Sequence, residues 1–600
     1  MPQSGFQALI LCGPGIGLST FTSVPAEFPK ALVEVANRPM VWYVLDWCYR
    51  MAVSDITLVT PPTSKDSIAA ALAQNPYLTS LPSPSPNLVA PKGLEFTTPT
   101  AELLRLPEVQ DAIKSDFLLL PCDLICDLPG ETFLESYLVS LGGLGGVGVP
   151  PGSDFDTARS EIVGLGGERS GRRGGLSIWY NTADREESVK GEECDFMCTT
   201  RLDPEHDVPL PPSASATSAG IMRKLVWTMP MSELRDQCEE DKSWKIRRSL
   251  LIKYGAVKCL TRYRDSHIYL FPYWVKHFAR LNEDFESVSE DLVGTWAKSE
   301  WRKPGYRARF GAKKLFGGAA EKTGSQGPMG RPIEEEVDLL SLSSTQITTH
   351  APPSRRLAQQ TTRLASRVQA DREDRNLSPD NESEEGREAD RVVPLVPPIL
   401  SYILPSTPDA PLLRRVDTTP LLLSVSLLLA KLPSASEATA SKTPTSPLAH
   451  SAKVHPAATI APRVTISRSD TLIDSNTSIA TQCVIKSSVI GASVSIGLGT
   501  RITNCVIMDG ASVGEKCVLT GTVVGKKAKI GNKCTLQGCE VQDGNAVSDG
   551  TEGKGEKYLI GGLEDEVDDA VAADDDDGAG GGMGSDDMDG DQGEGISLGE

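Results

Sequence analysis

Six hundred residues are enough for two or more domains, each with its own core. The formal net charge of −20 is concentrated at one end: residues 564–600 hold fifteen Asp and Glu and no Lys or Arg, which leaves about −5 for the rest. That overall balance gives no sign of a basic face for nucleic acid, and the thirteen scattered cysteines, with no basic-then-apolar leader ahead of them, fit free thiols in a reducing compartment.

In chain order, "FQALIL" (6–11), "SDITLVT" (54–60) and "DFLLLPCD" (116–123) read as short strands, and "PMVWYVLDWCYRMA" (39–52) as a helix with Pro39 at its start. Strands alternating with helices predict an α/β domain with a doubly wound, mostly parallel sheet over 1–310. Ligands on such sheets bind beyond the carboxyl ends of strands, where the 12–30 loop and Asp123 fall. Further strands are expected at 223–231, 255–263 and 266–271, with a helix at 271–281. Between 151 and 220, Gly, Ser, Arg and Pro dilute the pattern, which predicts loop insertions. Residues 311–390 read as a disordered linker. An ordered connector is expected over 391–433; its run "LLLSVSLLLAKL" (421–432) is too short for a bilayer and reads as a buried helix. A Ser/Thr/Ala/Pro linker over 434–455 follows, and the acidic 564–600 reads as a disordered tail.

Residues 456–563 carry the strongest pattern. Aliphatic residues recur at steps of six, six and five in three columns: Ile473, Ile490, Ile507, Val524, Val541; Ile479, Ile496, Val513, Ile530, Val547; and Ile485, Ile502, Leu519, Leu536. Each is seventeen residues from the next in its column. A three-sided parallel β-helix explains this, each column being an inward stack. Gly491, Gly497, Gly514, Gly525 and Gly531 follow column residues, where corners with positive φ are expected. Ala511, Cys517, Ala528 and Cys534 lie four beyond, where space is limited.

Chemistry is suggested by "CGPGIGLSTFTSVPAEFPK" (12–30). Backbone N–H groups of a glycine-rich turn bind phosphate, and Gly13, Gly15 and Gly17 permit close approach, although Pro14 removes a donor. A plain strand-to-helix turn is the alternative. Lys30 would neutralise phosphate, or be an ordinary surface lysine. Asp123, ending a strand, suits Mg²⁺ on a triphosphate, or it or Asp127 caps the next element. Thr100 and Ala101 in "TTPTAELL" suit a base-contacting loop or a helix start. His267 reads as a core or surface histidine. Cys194 and Cys198, with His206 nearby, lack a second pair to complete a zinc site, so no metal is expected.

These residues resemble the sugar-phosphate nucleotidyltransferases, whose loop resembles G-G-x-G-x-R-L and is followed by P-K, a metal-binding Asp after a strand, and a G-T-A segment. Gly13, Gly15, Pro29, Lys30, Asp123 and Thr100-Ala101 match. Gly17 stands where that family has its arginine, and Pro99 where it has the glycine of G-T-A. Losing the arginine removes a charge-assisted contact worth about 3 kcal/mol or more. The resemblance thus implies a pocket of Gly13, Gly15, Lys30 and Asp123 that is vestigial, with no catalysis and no cofactor.

A closer resemblance is to the subunits of eukaryotic translation initiation factor 2B, the fungal gamma type in particular. It is carried by "FQALILCGPGIG", "FPKALVEVANRPMVWYVLDW", "LLLPCDLICDLPGETF", "PPILSYILPSTPDAPLLRRVDTTPLLLSVSLLLAKLPS" and "SSVIGASVSIGLGTRITNCVIMDGASVGEKC". It implies a nucleotidyltransferase-like domain followed by a left-handed β-helix. The implied role is a non-catalytic subunit that pairs with epsilon, assembles with alpha, beta and delta, and helps initiation factor 2 exchange GDP for GTP in the cytosol. No membrane or direct nucleic-acid contact is implied. Epsilon adds a C-terminal helical domain for exchange; about fifty residues follow Val547, so gamma is expected. The alternative is a sugar-phosphate nucleotidyltransferase such as a mannose-1-phosphate guanylyltransferase, or its regulatory subunit.

Overall fold

Short apolar runs with no polar alternation form strands buried on both faces, as Gln7–Leu11 and Phe117–Pro121 are, and the first four strands of the sheet run in parallel. These are β1 (Gln7–Leu11), β2 (Asp55–Val59), β3 (Asn87–Val89) and β4 (Phe117–Pro121), in the order β3-β2-β1-β4. Leu9 of β1 lies opposite Thr57 on one side and Leu119 on the other. Helix α1 (Met40–Arg50) makes the crossover from β1 to β2, with Met40 to Leu45, Trp47 and Cys48 buried.

The computed structural model describes residues 5–13, 16–95, 97–130, 174–202, 221–316, 396–407, 410–441 and 446–563, with Phe133, Leu134 and Tyr137. The expected linker at 311–390 beyond Phe316, the acidic 564–600, Gly15 and His206 lie outside them. Residues up to Leu315 and from Leu395 onward belong to one compact unit.

Beyond β4 the sheet becomes mixed, continuing β8-β5-β9-β7-β6. Its strands are β5 (Gly175–Asn181), β6 (Asp195–Thr200), β7 (Ile221–Pro230), β8 (Lys258–Phe271) and β9 (Ile399–Ile403). Two sequence expectations are corrected here. The stretch read as loop insertions contains β5 and β6, and every residue of β5 is buried. Ser177 interrupts its apolar run, and the buried hydroxyl is satisfied by donating to the Leu400 carbonyl. The two strands expected at 255–263 and 266–271 are one strand, β8, whose register shifts between Asp265 and Tyr269. Such a bulge bends the strand without ending it. Helix α2 (Arg248–Tyr254) precedes β8.

The expected connector is part of the sheet. β9 lies parallel to β5 and antiparallel to β7. Leu413–Arg415 then pairs with Leu124–Cys126, and helix α3 (Thr419–Lys431) follows. By length and composition alone Thr419–Thr439 would pass for a membrane span. Here Leu421, Leu422, Val425 and Leu429 are buried. The 434–455 stretch is no loose linker: Ala435–Ser441 is helical, and the Arg38 guanidinium donates to the carbonyls of Leu448 and Ala449.

The β-helix columns stand as the periodicity requires. All fourteen column residues are buried, and strands stack in parallel at one-coil spacing, Ile490 over Ile473 and Ile507 over Ile490. An earlier coil adds Val454, Ile460 and Ile466, nineteen residues before Ile473, Ile479 and Ile485. The glycines after column residues do not have positive φ, which corrects that expectation. Their reason is proximity: a Cβ on Gly514 would sit 2.5 Å from the Gly531 carbonyl oxygen. The left-handed corners come later, three residues after columns one and two (Asn476, Gln482, Gly510) and two after column three (Ser487, Gly521). One corner arriving a residue early makes the third side five residues and the coil seventeen. Ala511, Cys517, Ala528 and Cys534 are buried, and the two thiols also donate to carbonyls of Gly531 and Ser548 in the next coil.

One side of the prism is apolar outward as well as inward. Leu472, Val489, Val506 and Val523 precede column-one residues and join the sheet domain's core cluster with Leu422, Val425 and Leu429 of α3. Polar clasps ring this contact. Asn37 donates to the Ile490 carbonyl at 2.8 Å, and Lys526 pairs with Glu34 at 2.8 Å.

Candidate functional site

Parallel β1 and β4 end side by side, and the chain after each leads into one polar centre. Asp123 lies two residues past β4 and is fully buried. Lys30, in the turn Lys30–Leu32, donates to its Oδ2 at 2.7 Å. Sequence reasoning brought these two together with Gly13, and a Cβ on Gly13 would meet nothing within 4 Å.

Three further members come from distant sequence. Arg415 approaches the same carboxylate, Nε to Oδ1 at 3.5 Å and Nη2 to Oδ2 at 3.4 Å. It also lies 3.7 Å from Asp417. Arg264, on β8, donates to both oxygens of Asp417, at 3.4 and 2.6 Å. The backbone closes the group, because the Val416 N–H donates to the Asp123 carbonyl at 2.7 Å. Behind this layer Arg414, fully buried over the Tyr180 ring, pairs with Glu187 and Glu192, each at 3.4 Å. An apolar connector carrying "LRRVD" was the signal available in the sequence, but nothing in its spacing pointed to Asp123.

Charge is thus balanced within the protein. Burial alone would push the Asp123 carboxyl up, but Lys30 and Arg415 hold it well below the usual carboxylate range. The same carboxylate raises Lys30 and Arg415 despite their burial. His267 has φ 55° in the β8 bulge, its N–H donating to Asp265 at 2.9 Å. Burial and neighbouring Arg415 hold its imidazole well below the usual range, hence neutral at physiological pH. Burial lifts Asp265 to about 7.

Gly17 has a steric role. A Cβ there would lie 2.2 Å from the Asp417 carbonyl oxygen, so no side chain fits without displacing that backbone. The position that matches the nucleotidyltransferase arginine is filled by the connector, and a guanidinium reaches Asp123 from Arg415 instead.

Other expected site residues lie elsewhere. The Ala101 N–H donates to the Glu286 carbonyl and Thr100 Oγ1 accepts from the Val288 N–H, so this turn braces the 286–288 segment. Asp127 accepts from Ser446. Cys198 Sγ is 3.3 Å from Cys259 Sγ, the residue opposite it on β8, and Cys194 contacts Thr182. All thirteen cysteines are free, and among the described residues no His, Cys, Asp and Glu group could hold a metal. In a metal-dependent reading Asp123 and Asp417 would be the ligands, but the guanidinium of Arg415 lies against both.

A mixed α/β domain fused to a left-handed β-helix, with a buried lysine–carboxylate pair at the ends of β1 and β4, is the class this fold defines. Residues 448–552 match a family model described as the LbH (left-handed β-helix) domain of EIF2B subunit epsilon. The chain is also 24% identical over 298 residues to translation initiation factor eIF2B subunit gamma of Schizosaccharomyces pombe (strain 972 / ATCC 24843), a match covering 50% of this chain and 52% of that protein. The chain therefore spans about half the length of the curated relative it matches. Together the two findings support an eIF2B factor of the gamma/epsilon type.

Proposed function

We propose that the chain is a gamma-type, non-catalytic subunit of an eIF2B-like guanine nucleotide exchange complex. It would act in the cytosol with an epsilon subunit and with alpha, beta and delta subunits, helping to hold initiation factor 2 while GDP is replaced by GTP. The observation that carries this reading is inside the pocket: Asp123 is already neutralised by Lys30 and Arg415. A triphosphate with its metal would have to displace a buried guanidinium from a buried carboxylate, and breaking such a pair costs about 3–5 kcal/mol. Gamma rather than epsilon is supported by the named relative, although the family model carries epsilon's name.

Exchange asks for no reacting group. An exchange factor binds the nucleotide-free GTPase better than the GDP-bound one and so lowers GDP affinity by the same factor. What such a subunit supplies is rigid surface, and a sheet domain locked to a β-helix supplies it.

The test is mass spectrometry of the native complex recovered through a tag on this chain. Recovery of four other exchange-factor subunits with initiation factor 2 is the expected result. Recovery of the chain alone, or with a sugar-nucleotide enzyme, would overturn it and send the pocket to a pyrophosphorolysis assay with Lys30→Met and Asp123→Asn.

A further inference from the structure

The net charge of −20 hides a segregation of sign. Residues 242–262 hold seven Lys and Arg and no acid, and residues 302–314 hold six and none. The fold brings the two runs together. Lys253, in α2, donates to the Glu300 carbonyl at 2.7 Å and pairs with its carboxylate at 3.0 Å. The Trp301 ring lies tilted, 6.0 Å from that of Trp227, itself 5.3 Å from Trp244.

Within the two runs the cations crowd one another, although the helix Met231–Asp241 just before them in sequence carries five acids. Burial and neighbouring Arg247 hold Arg302 below its ordinary value. Burial together with Arg302 and Arg247 does the same to Lys298, even with Glu233 and Asp291 near it. Arg247, Arg248 and Lys258 are exposed and make no ion pair among the described residues. Within the same patch α2 exposes two adjacent aliphatic side chains, Leu251 at 40% and Ile252 at 72%. A polyanion with apolar side chains fits such a face better than a nucleic acid, which has no use for Ile252.

The sequence contains that polyanion. Residues 564–577 read EDEVDDAVAADDDD, nine acids with Val567 and Val571 among them. We propose that the acidic segment 564–600 docks on the basic face of residues 242–262 and 302–314, with its aliphatic residues over Leu251 and Ile252. The chain can reach. Gly562–Leu563 pairs back on Tyr558–Leu559, the Ile560 N–H donates to Gln542, and the Gln542 amide donates to Ser23 at 2.5 Å. The segment therefore departs near the turn after β1. From β1 to β7 is five strand steps, about 24 Å at a spacing of ~4.8 Å. A 37-residue segment has a root-mean-square span of about 33 Å as a coil. Docked there, it would shield the face from other polyanions.

Carbodiimide cross-linking of the full chain, read by mass spectrometry, tests this. The expected result is zero-length links from carboxylates of 564–600 to Lys242, Lys245, Lys253 or Lys258, lost at about 0.5 M salt. In Arg247→Glu/Arg248→Glu the yield should fall about tenfold. If that pair lowers Tm, Arg248→Glu alone should still reduce the links. Links to other lysines, or none, would overturn the proposal. So would isotope-mixed links between labelled and unlabelled chains, which would make a second copy the occupant. Abolition of the links by an equimolar oligouridylate of matched charge would overturn it in favour of nucleic acid.

Discussion

Replacing Asp123 by Asn should change sign with its surroundings. In the native protein the carboxylate is 1% exposed, 2.7 Å from Lys30 and 3.4 Å from Arg415, whose side chains are 13% and 14% exposed. Asp123→Asn leaves buried Lys30 without its counter-charge and Arg415 with only Asp417, 3.7 Å away, and removing one partner of a buried pair costs about 3 kcal/mol or somewhat more. In a Lys30→Met/Arg415→Met background the carboxylate is the stranded charge. There Asp123→Asn removes it and should restore about 2–3 kcal/mol. Arg264 pairs with Asp417 at 2.6 Å, so the second carboxylate keeps a cation when Arg415 is replaced.

Urea unfolding followed by tryptophan fluorescence at pH 7.5 measures each variant. The pH dependence is a second reading of the same physics. The folded-state carboxyl of Asp123 sits well below its unfolded value, so its contribution is complete above about pH 4–5 and is lost as pH falls through the folded value. Lys30→Met/Arg415→Met should flatten or invert that slope. An Asp123→Asn effect of the same sign in both backgrounds would refute the electrostatic account and leave Asp123 as a packing residue.

The β-helix distinguishes two reasons for glycine. Gly514→Ala places a Cβ 2.5 Å from the Gly531 carbonyl oxygen and should cost about 3 kcal/mol, whereas Gly510→Asn, at φ 71° and 3.4 Å from the Lys527 side chain, should stay within about 1 kcal/mol. Equal losses in thermal melts would defeat this. Asp543, buried beside Glu34 and Glu27, is pushed up to about 7. Its stability contribution is therefore largest below the unfolded value and declines as pH rises to about 7. Asp543→Asn keeps the acceptor for the Lys526 N–H, so it should gain about 1–3 kcal/mol over the native protein at pH 8 and little near pH 4. A gain independent of pH would rule out titration as its cause.

What the sequence made legible was local. The β-helix repeats its inward residue every seventeen positions, and each coil bonds only to its neighbours, so a one-dimensional pattern contains the fold. The pattern fails at the first coil, where a spacing of nineteen hides Val454, Ile460 and Ile466. β1, β2 and β4 were legible as bounded apolar runs. β9 was not, because its partners β5 and β7 lie far back in sequence. The site divides the same way. Lys30 and Asp123 follow strands of a recognisable unit, whereas Arg264, Arg415 and Asp417 arrive through a bulge and a returning connector, and no spacing encodes such contacts. Net charge misled for a related reason: an average over 600 residues cannot register a local basic face.

The returning connector is the element on which the rest depends. Residues 399–431 place β9 inside the sheet, carry Arg415 and Asp417 to Asp123, set the Asp417 carbonyl against Gly17, and continue into α3. Leu422, Val425 and Leu429 of α3 belong to the cluster that holds Val489 and Val506 of the β-helix. Arg415 thus supplies one of the two cations that balance Asp123, and it is covalently continuous with the joint between the two domains. Opening the pocket wide enough to seat a ligand at Asp123 means moving a segment clamped at β9 on one side and α3 on the other. The ion pairs at the ends of β1 and β4 therefore work as a fastening between sheet and β-helix, and their loss should be felt in the stability of that joint.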